Sequence, residues 1–200
     1  MTLYHVKPRF QALLRPLVAR LYAAGVSANQ VTVAACVVSL AVGGVILLLP
    51  ERRALFLLLP VWLFLRMACN AIDGMLAREF NQKSPLGGYL NELTDVVSDA
   101  ALILPFAALP VFHPGWVAGV VFLAALSEYA GAIGPLVGAS RRYDGPLGKS
   151  DRALLFGGLG LWAGLGLPLP SWLAWAMPII ALLLVLTIWN RVRRGVAELR

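Results

Sequence analysis

Carboxylates are concentrated in one short stretch of this chain, residues 70–99, which reads NAIDGMLAREFNQKSPLGGYLNELTDVVSD. Five of the ten acidic residues of the chain lie within it. If the stretch and the residues just before it form two helices, polar side chains recur every three or four residues on one face of each helix. The first face carries Arg66, Asn70 and Asp73, and the second carries Asn91, Asp95 and Asp99.

Oxygen atoms from two such faces suit a hard divalent cation, Mg²⁺, Mn²⁺ or Ca²⁺. A cation held between them would clamp a phosphate group, and Gly74 would let a ligand approach the backbone. The alternative is a polar network that packs two helices together and binds no ligand. The pattern therefore predicts a metal and phosphate site, provided that the two helices lie side by side.

The elements that must position these residues are membrane helices. The chain is 60% hydrophobic and 14% charged, and its mean hydropathy of +0.78 is too high for an ordinary soluble domain. Its two cysteines lie in apolar runs, without the spacing of a disulfide framework or a zinc site. The net charge of +7 would suit a nucleic-acid partner, but the distribution of the basic residues argues against one.

Six stretches are apolar and long enough to be membrane-spanning helices. Their approximate limits are 30–50, 54–77, 91–110, 115–138, 152–168 and 172–191. Residues 8–24 instead interleave arginines with apolar residues at helical spacing, which predicts an amphipathic helix on the membrane surface. A helix packed on the loops is the alternative for that segment. We therefore expect an all-α integral membrane protein, with residues 1–200 forming a single domain.

The basic residues of the loops are strongly biased to one side of this predicted bundle. Fourteen lysines and arginines fall on the side of the two termini, and only Arg52 and Arg53 fall on the other. The positive-inside rule then places both termini in the cytoplasm. We expect the membrane to be the inner membrane of a bacterium. The acid-rich stretch opens on the same cytoplasmic side.

Several of these basic residues lie on the same predicted side of the bundle as the acid-rich stretch. They are Arg78, Arg141, Arg142, Lys149 and Arg152. An anionic ligand would be bound by such a group. The alternative for the loop SRRYDGPLGKSDRA is that it only sets the topology, but Asp144 and Asp151 make its charge mixed, which favours a site.

The stretch resembles the signature of the CDP-alcohol phosphatidyltransferases, D-x2-D-G-x2-A-R-x8-G-x3-D-x3-D. Six of the eight marked positions match, and they are Asp73, Gly74, Ala77, Arg78, Gly87 and Asp95. The segments SANQVT and GPLGKSDRA are similar to further segments of the same family. Six spans after a surface helix are also its architecture, so the resemblance covers most of the chain.

The resemblance implies an enzyme of phospholipid biosynthesis that uses a CDP-lipid, usually CDP-diacylglycerol. Such an enzyme transfers a phosphatidyl-type group to a small polar alcohol or alcohol phosphate and releases CMP. One or two divalent cations, Mg²⁺ or Mn²⁺, would hold the pyrophosphate of the donor. A homodimer is also compatible with the family, and a transporter is disfavoured because the sequence shows no inverted repeat.

The same resemblance implies roles for individual residues. Asp95 would be the general base and, with Asp73, a metal ligand. The CDP moiety would be held by Gly74, Ala77, Arg78 and Gly87. The acceptor or its phosphate would be bound by Arg141, Arg142, Lys149 and Arg152.

The chain departs from the signature at two ligand positions, where Asn70 and Asn91 replace aspartates. Three hypotheses follow. In the first, Glu92 or Asp99 replaces the lost ligands. In the second, one cation binds tightly and another is weak or arrives with the substrate. In the third, the protein binds a lipid or a nucleotide without turnover.

Arg66 lies within the second predicted span, where an unpaired charge would be costly. At 1.5 Å per residue it lies about 10 Å deeper in the membrane than Asp73, and Asp99 lies about 6 Å deeper than Asp95. We therefore expect Arg66 to neutralise Asp99, Glu128 in the fourth span, or both. Asp99 would then support the site from below rather than bind a metal.

Overall fold

The computed structural model describes residues 7–199, and the regular secondary structure in this part of the chain is helical. The α-helices are α1 (Lys7–Ala23), α2 (Ala28–Leu48), α3 (Leu58–Glu79), α4 (Pro85–Ile103), α5 (Pro114–Ile133), α6 (Lys149–Gly164) and α7 (Ala176–Glu198). Short 3-10 turns adjoin four of them, at Arg53–Leu57, Leu104–Ala108, Gly134–Val137 and Ser171–Trp175. Each predicted span overlaps one of the helices α2 to α7, and the predicted surface helix overlaps α1.

Four helical segments of the described residues are long and apolar enough to cross a membrane. They are Ala28–Leu48, Arg53–Glu79, Pro114–Val137 and Ser171–Glu198. The helix α4 carries Glu92, Asp95 and Asp99, and α6 has only 16 residues, so neither meets that standard. The chain is an integral membrane protein, and the crossing of the membrane by α4 and α6 stays a prediction.

Capping side chains set where α2 and α4 begin. Ser27 and Gln30 form a reciprocal capping box at the start of α2. At α4, the hydroxyl of Ser84 accepts a hydrogen bond from the backbone N–H of Gly87 at 3.0 Å, and Pro85 occupies the first turn. The helix therefore begins at residue 85, six residues before the predicted span, because its start follows the cap rather than the apolar content. The loop between α3 and α4 is correspondingly shorter than the gap between the second and third predicted spans.

The helix α2 packs against both α3 and α4. It approaches α4 closely at Gly43, where a Cβ atom would overlap the backbone carbonyl of Ala101. The apolar core includes residues of α2 as well as of the later helices, and within it Phe106 contacts Phe56 and Phe156 with ring centroids 5.4 Å apart in both pairs. This aromatic core holds the far end of the bundle together and leaves the polar faces of α3 and α4 at the opposite end.

Replacing Gly43 by Ala is expected to destabilise the protein by about 1–3 kcal/mol, because backbone atoms of α4 must move to admit the methyl group. The neighbouring Gly44 provides the matched control, since nothing lies within 4 Å of a Cβ atom placed there. Gly44→Ala should be neutral or stabilising by about 0.5–1 kcal/mol, because Ala favours the helix. Thermal unfolding in detergent measures both, and equal melting temperatures would contradict the tight α2–α4 contact.

The N-terminal helix α1 packs on α3. Val18 is fully buried against a cluster that includes Met75 and Leu76. At the edge of this contact, Arg15 donates hydrogen bonds to both carboxylate oxygens of Glu79, at 3.2 and 3.1 Å. Leu13 remains 76% exposed, so α1 keeps an apolar face directed away from the bundle. Its position on the membrane surface stays a prediction.

Candidate active site

Asp73 is buried beside α2, at the end of the bundle where the charged residues converge. Its side chain is only 6% exposed, and the hydroxyl of Thr32 donates a hydrogen bond to Oδ2 at 2.8 Å. Sequence reasoning missed Thr32, although it closes the segment SANQVT that resembles the family. Thr32 therefore holds the carboxylate of Asp73 from α2, the helix that packs against both α3 and α4.

Arg66 connects α3 to α4. Its side chain is 4% exposed, and Nη1 donates a hydrogen bond to Asp99 Oδ1 at 2.6 Å. The other terminal nitrogen, Nη2, lies 3.1 Å from the backbone carbonyl of Asp95 and 3.2 Å from its Oδ1. The predicted contact between Arg66 and Asp99 is therefore present, and Arg66 also holds Asp95 through both its backbone and its side chain.

The second oxygen of Asp99 is taken by Arg152 of α6. The two nitrogens Nε and Nη2 of Arg152 lie 3.2 and 2.8 Å from Asp99 Oδ2. Both carboxylate oxygens of Asp99 are thus engaged by arginines, which favours a supporting role over metal binding. Arg152 itself is 2% exposed, so its position favours the same supporting role over the predicted contact with an acceptor.

Glu128 of α5 pairs with arginines other than Arg66. Arg152 Nη2 lies 2.9 Å from Glu128 Oε1, and Arg191 Nη1 lies 3.5 Å from the same oxygen. Arg191 also donates a hydrogen bond to the backbone carbonyl of Ser127. This buried arginine of α7 was missed by sequence reasoning, which read it only as one of several basic residues near the C-terminus. It links α7 to α5, and Glu128 and Arg152 continue the chain of contacts to Asp99.

Lys149, at the start of α6, forms an ion pair with Asp95 through Nζ and Oδ2. Asp95 is thus contacted by two cations from different helices, since Arg66 holds its other oxygen. Asp95 and Lys149 also lie close enough to Asp73 to act on it electrostatically. Two signature carboxylates and one lysine of the GPLGKSDRA segment therefore share one region of the bundle.

Arg141, in the loop between α5 and α6, faces the beginning of α4. Its Nη2 donates a hydrogen bond to Glu92 Oε2 at 2.8 Å, and its guanidinium lies 5.1 Å from the ring centroid of Tyr143. Glu92 is therefore held by an arginine, which argues against its use as a substitute metal ligand. The Nε atom of Arg141 is buried and has no hydrogen-bond partner among the described residues.

The rest of this loop is clamped to α7. Asp144 accepts hydrogen bonds from Arg142 Nε at 2.8 Å and from Arg194 Nη1 at 2.6 Å, and Arg142 Nη1 also donates to Glu198 Oε2 at 2.8 Å. Partial burial would raise the pKa of Asp144, but the hydrogen bonds from Arg194 and Arg142 outweigh it and hold the pKa below its usual value. Arg142, which was predicted to bind the acceptor, holds the loop in place.

The lowered pKa of Asp144 fixes the sign of a pH effect. Its contribution to stability is present above the ordinary pKa of 3.8 and is lost as the pH falls through the lower pKa of the folded protein. Asp144→Asn should lower the melting temperature by about 2–4 °C at pH 7. The difference from the wild type should shrink as the pH approaches 3, and a difference that stays constant with pH would contradict the clamp.

The residues predicted to hold CDP lie around the C-terminal half of α3 and the start of α4. The guanidinium of Arg78 folds over Gly74, where a Cβ atom would come within 2.8 Å of Nη2. Gly87 lies in the first turn of α4, where a Cβ atom would be 2.7 Å from Asn29 Oδ1. Ala77 packs against the buried cluster beneath α1. Both glycines thus keep space for neighbouring polar side chains.

Asn70 and Asn91 are half-buried, and neither takes part in the hydrogen bonds that organise the described cluster. Among the described residues, no three His, Cys, Asp or Glu side chains are grouped so as to hold a metal ion. The two amides and the carboxylates of Asp73 and Asp95 can each supply an oxygen ligand, which suits a hard cation. With two negative charges instead of four, this set fits one divalent cation better than two.

Comparison with known proteins identifies the family. The family model described as CDP-alcohol phosphatidyltransferase matches residues 25–189, which is most of the chain. The chain belongs to the CDP-alcohol phosphatidyltransferase family. The members of this family are transferases, and this chain is an enzyme of that kind by family.

Relatives of this transferase occur in bacteria and plants. The inner membrane protein YnbA of Escherichia coli is 47% identical over 195 residues, which are 97% of this chain and 94% of that protein. The CDP-diacylglycerol–inositol 3-phosphatidyltransferase 1 of Arabidopsis thaliana is 37% identical over 70 residues, which are 35% of this chain and 28% of that protein. The plant protein therefore shares only a segment with this transferase.

Solved structures share the fold of this transferase. The phosphatidylinositol phosphate synthase of Mycobacterium tuberculosis with CDP-DAG bound superposes with a TM-score of 0.72 at 21% identity, over 90% of this chain and 92% of that chain. The same synthase in complex with manganese and citrate also gives 0.72 at 21% identity, over 90% of this chain and 87% of that chain. At this identity the likeness establishes the common fold.

Proposed function

We propose that this transferase moves a phosphatidyl-type group from a CDP-lipid, CDP-diacylglycerol in the simplest case, to an alcohol acceptor and releases CMP. The observation that carries the proposal is the position of Asp95. It lies at the last signature position, held by Arg66 and Lys149, in the same region as Asp73. The family membership and the CDP-DAG bound to the mycobacterial synthase support the same reaction.

In the proposed reaction, the hydroxyl of the acceptor attacks the lipid-side phosphorus of the donor. The bond between this phosphorus and the bridging oxygen breaks, CMP leaves with that oxygen, and Asp95 takes the proton of the hydroxyl. Lys149 must release Oδ2 of Asp95 for this step, and the incoming phosphate is the natural new partner for its ammonium group. Arg66 keeps Oδ1 and the backbone of Asp95 in place throughout.

A divalent cation, Mg²⁺ or Mn²⁺, would supply charge neutralisation for the pyrophosphate when bound. Asp73, Asp95, Asn70 and Asn91 would hold it, and Thr32 would orient Asp73. The nucleotide would lie along Gly74, Ala77, Arg78 and Gly87, in keeping with the exposed position of Arg78. The complex of the mycobacterial synthase with manganese supports a divalent cation in this fold.

The basic loop favours an acceptor that carries a phosphate. Arg141 has a buried Nε atom without a partner among the described residues, and Lys149 lies beside the proposed base. Arg142 and Arg152 would support the site without contacting the acceptor. Arg142 is paired with α7, and Arg152 is buried between Asp99 and Glu128. We therefore expect an alcohol phosphate to react faster than the corresponding alcohol.

The site would face the cytoplasm at the inner membrane of a bacterium. The bias of the basic residues and the inner-membrane relative from Escherichia coli support this placement. Six spans and cytoplasmic termini belong to the same proposal. The homodimer stays a prediction from the resemblance.

A second candidate function is binding of a lipid or nucleotide without turnover. The observation that favours it is the engagement of both oxygens of Asp95 by cations, together with the two asparagines at ligand positions. The two candidates differ in one product, since only a transferase releases CMP.

The experiment is an assay of CMP release by purified protein in detergent. CDP-diacylglycerol and Mn²⁺ or Mg²⁺ are supplied with a panel of acceptors: glycerol 3-phosphate, inositol phosphate, inositol and serine. The proposal expects CMP with at least one acceptor and only when a divalent cation is present. Absence of CMP with every acceptor would favour the binding protein.

A further inference from the structure

The charged cluster of this transferase is already balanced without any metal ion. Four cationic side chains and four carboxylates lie in contact or within electrostatic range of one another, so its formal charge is zero. The cations are Arg66, Lys149, Arg152 and Arg191, and the carboxylates are Asp73, Asp95, Asp99 and Glu128. A divalent cation added to this cluster alone would create a net positive charge in a largely buried region.

The balance depends on the two asparagines. With aspartates at positions 70 and 91 the same cluster would carry two more negative charges, which a divalent cation would neutralise. With amides there, Asp73 and Asp95 are the only charged ligands in the set, and Arg66 and Lys149 beside Asp95 repel the cation. The missing negative charge must then come from another molecule, and a pyrophosphate carries it.

Resting on the proposed function, we propose that this chain takes up its divalent cation together with the pyrophosphate of the nucleotide-lipid donor and not before it. Lys149, which contacts Asp95, provides the positive charge that a second cation would otherwise provide. One cation would then suffice, and Asp73 and Asp95 would be its charged protein ligands. Release of Lys149 from Asp95 and entry of the cation and phosphate occur together.

Equilibrium dialysis of the full-length protein in detergent tests this order of binding. Mn²⁺ is dialysed against the protein with and without CDP, and the excess metal on the protein side is measured by atomic absorption. The wild type should retain about one Mn²⁺ per chain with CDP, and its affinity without CDP should be at least about tenfold weaker. Two Mn²⁺ ions bound per chain in the absence of CDP would overturn the inference.

A double variant and its control test the role of the two asparagines in this order of binding. The double variant N70D/N91D should bind Mn²⁺ without CDP at least about tenfold more tightly than the wild type, because ligand charge sets the affinity. Asn81→Asp is the matched control, since it adds a carboxylate in the exposed α3–α4 loop outside the donor set, and its Mn²⁺ binding should equal that of the wild type. Equal gains in N70D/N91D and Asn81→Asp would contradict the inference.

Lys149→Met tests the counter-charge directly. Removal of the ammonium group beside Asp95 should strengthen Mn²⁺ binding in the absence of CDP, whereas an unchanged affinity would overturn the role of Lys149. These dialysis results do not depend on turnover. Absence of CMP release would therefore contradict the proposed function, while the order of binding could still be measured. CMP release by a protein that binds two Mn²⁺ ions without CDP would contradict the order of binding but not the proposed function.

Discussion

Asp95→Asn is expected to lower the rate of CMP release by about 10³-fold, because the amide cannot take the proton of the attacking hydroxyl. The substitution keeps the size of the side chain and leaves an oxygen for Arg66. With that oxygen facing Arg66, the amide nitrogen takes the place of Oδ2, so the ion pair with Lys149 is lost. The initial rate with the best acceptor, measured at saturating CDP-diacylglycerol, gives the effect.

The control for this variant is Glu51→Gln, which changes an exposed carboxylate in the loop between α2 and α3 and should leave the rate unchanged. The melting temperature of Asp95→Asn should stay within a few degrees of the wild type, which separates loss of chemistry from loss of fold. A variant that keeps its melting temperature and more than about a tenth of the wild-type rate would exclude Asp95 as the general base.

The second large effect is expected at Arg66. Arg66→Ala removes a buried guanidinium and leaves Asp99 and Asp95 without one of their partners, which should cost about 3–5 kcal/mol of stability. For a chain of this size the melting temperature should fall by about 10 °C. CMP release should fall as well, because Arg66 also donates to the backbone and side chain of Asp95. Thermal unfolding in detergent and the CMP assay measure the two consequences.

Arg52→Ala is the matched control, since it removes an exposed arginine in the loop between α2 and α3 and should have little effect. A double-mutant cycle with Asp99→Asn shows whether the buried pair is responsible. The combined loss in R66A/D99N should be smaller than the sum of the single losses, because the two side chains contact each other. Unchanged melting and activity in Arg66→Ala would refute the support role.

The sequence predicted those parts of the site that depend on spacing within one helix. The face with Arg66, Asn70 and Asp73 follows from the helical repeat, and so does the face with Asn91 and Asp95. The contact between Arg66 and Asp99 was predicted from depth along two antiparallel helices, since an unpaired charge in a span has to find a partner. These inferences need only the rise per residue and the cost of a buried charge.

Contacts between distant helices were not predictable in the same way. Thr32 reaches Asp73 because α2 lies against both α3 and α4, and Arg191 reaches Glu128 because α7 lies against α5. Nothing in the local sequence distinguishes these residues from their neighbours. Glu128 was assigned to Arg66 as an alternative partner, whereas Arg152 of α6 pairs with both Glu128 and Asp99.

The start of α4 shows a different limit. The segment PLGGYL is weakly apolar and contains two glycines, so the apolar pattern begins only near residue 91. The cap at Ser84 and the proline after it start the helix earlier. One consequence is that Gly87 lies within the first turn of α4, close to Asn29, rather than in a flexible loop.

The lipid product tests the central claim most directly. Cells that overproduce the wild-type protein and cells that overproduce Asp95→Asn are extracted, and their phospholipids are compared by mass spectrometry. We predict a phospholipid, enriched only with the wild type, whose mass equals that of the diacylglycerol phosphate of the donor joined to one alcohol acceptor. Identical phospholipid profiles at equal protein levels would contradict phosphatidyl transfer by this chain.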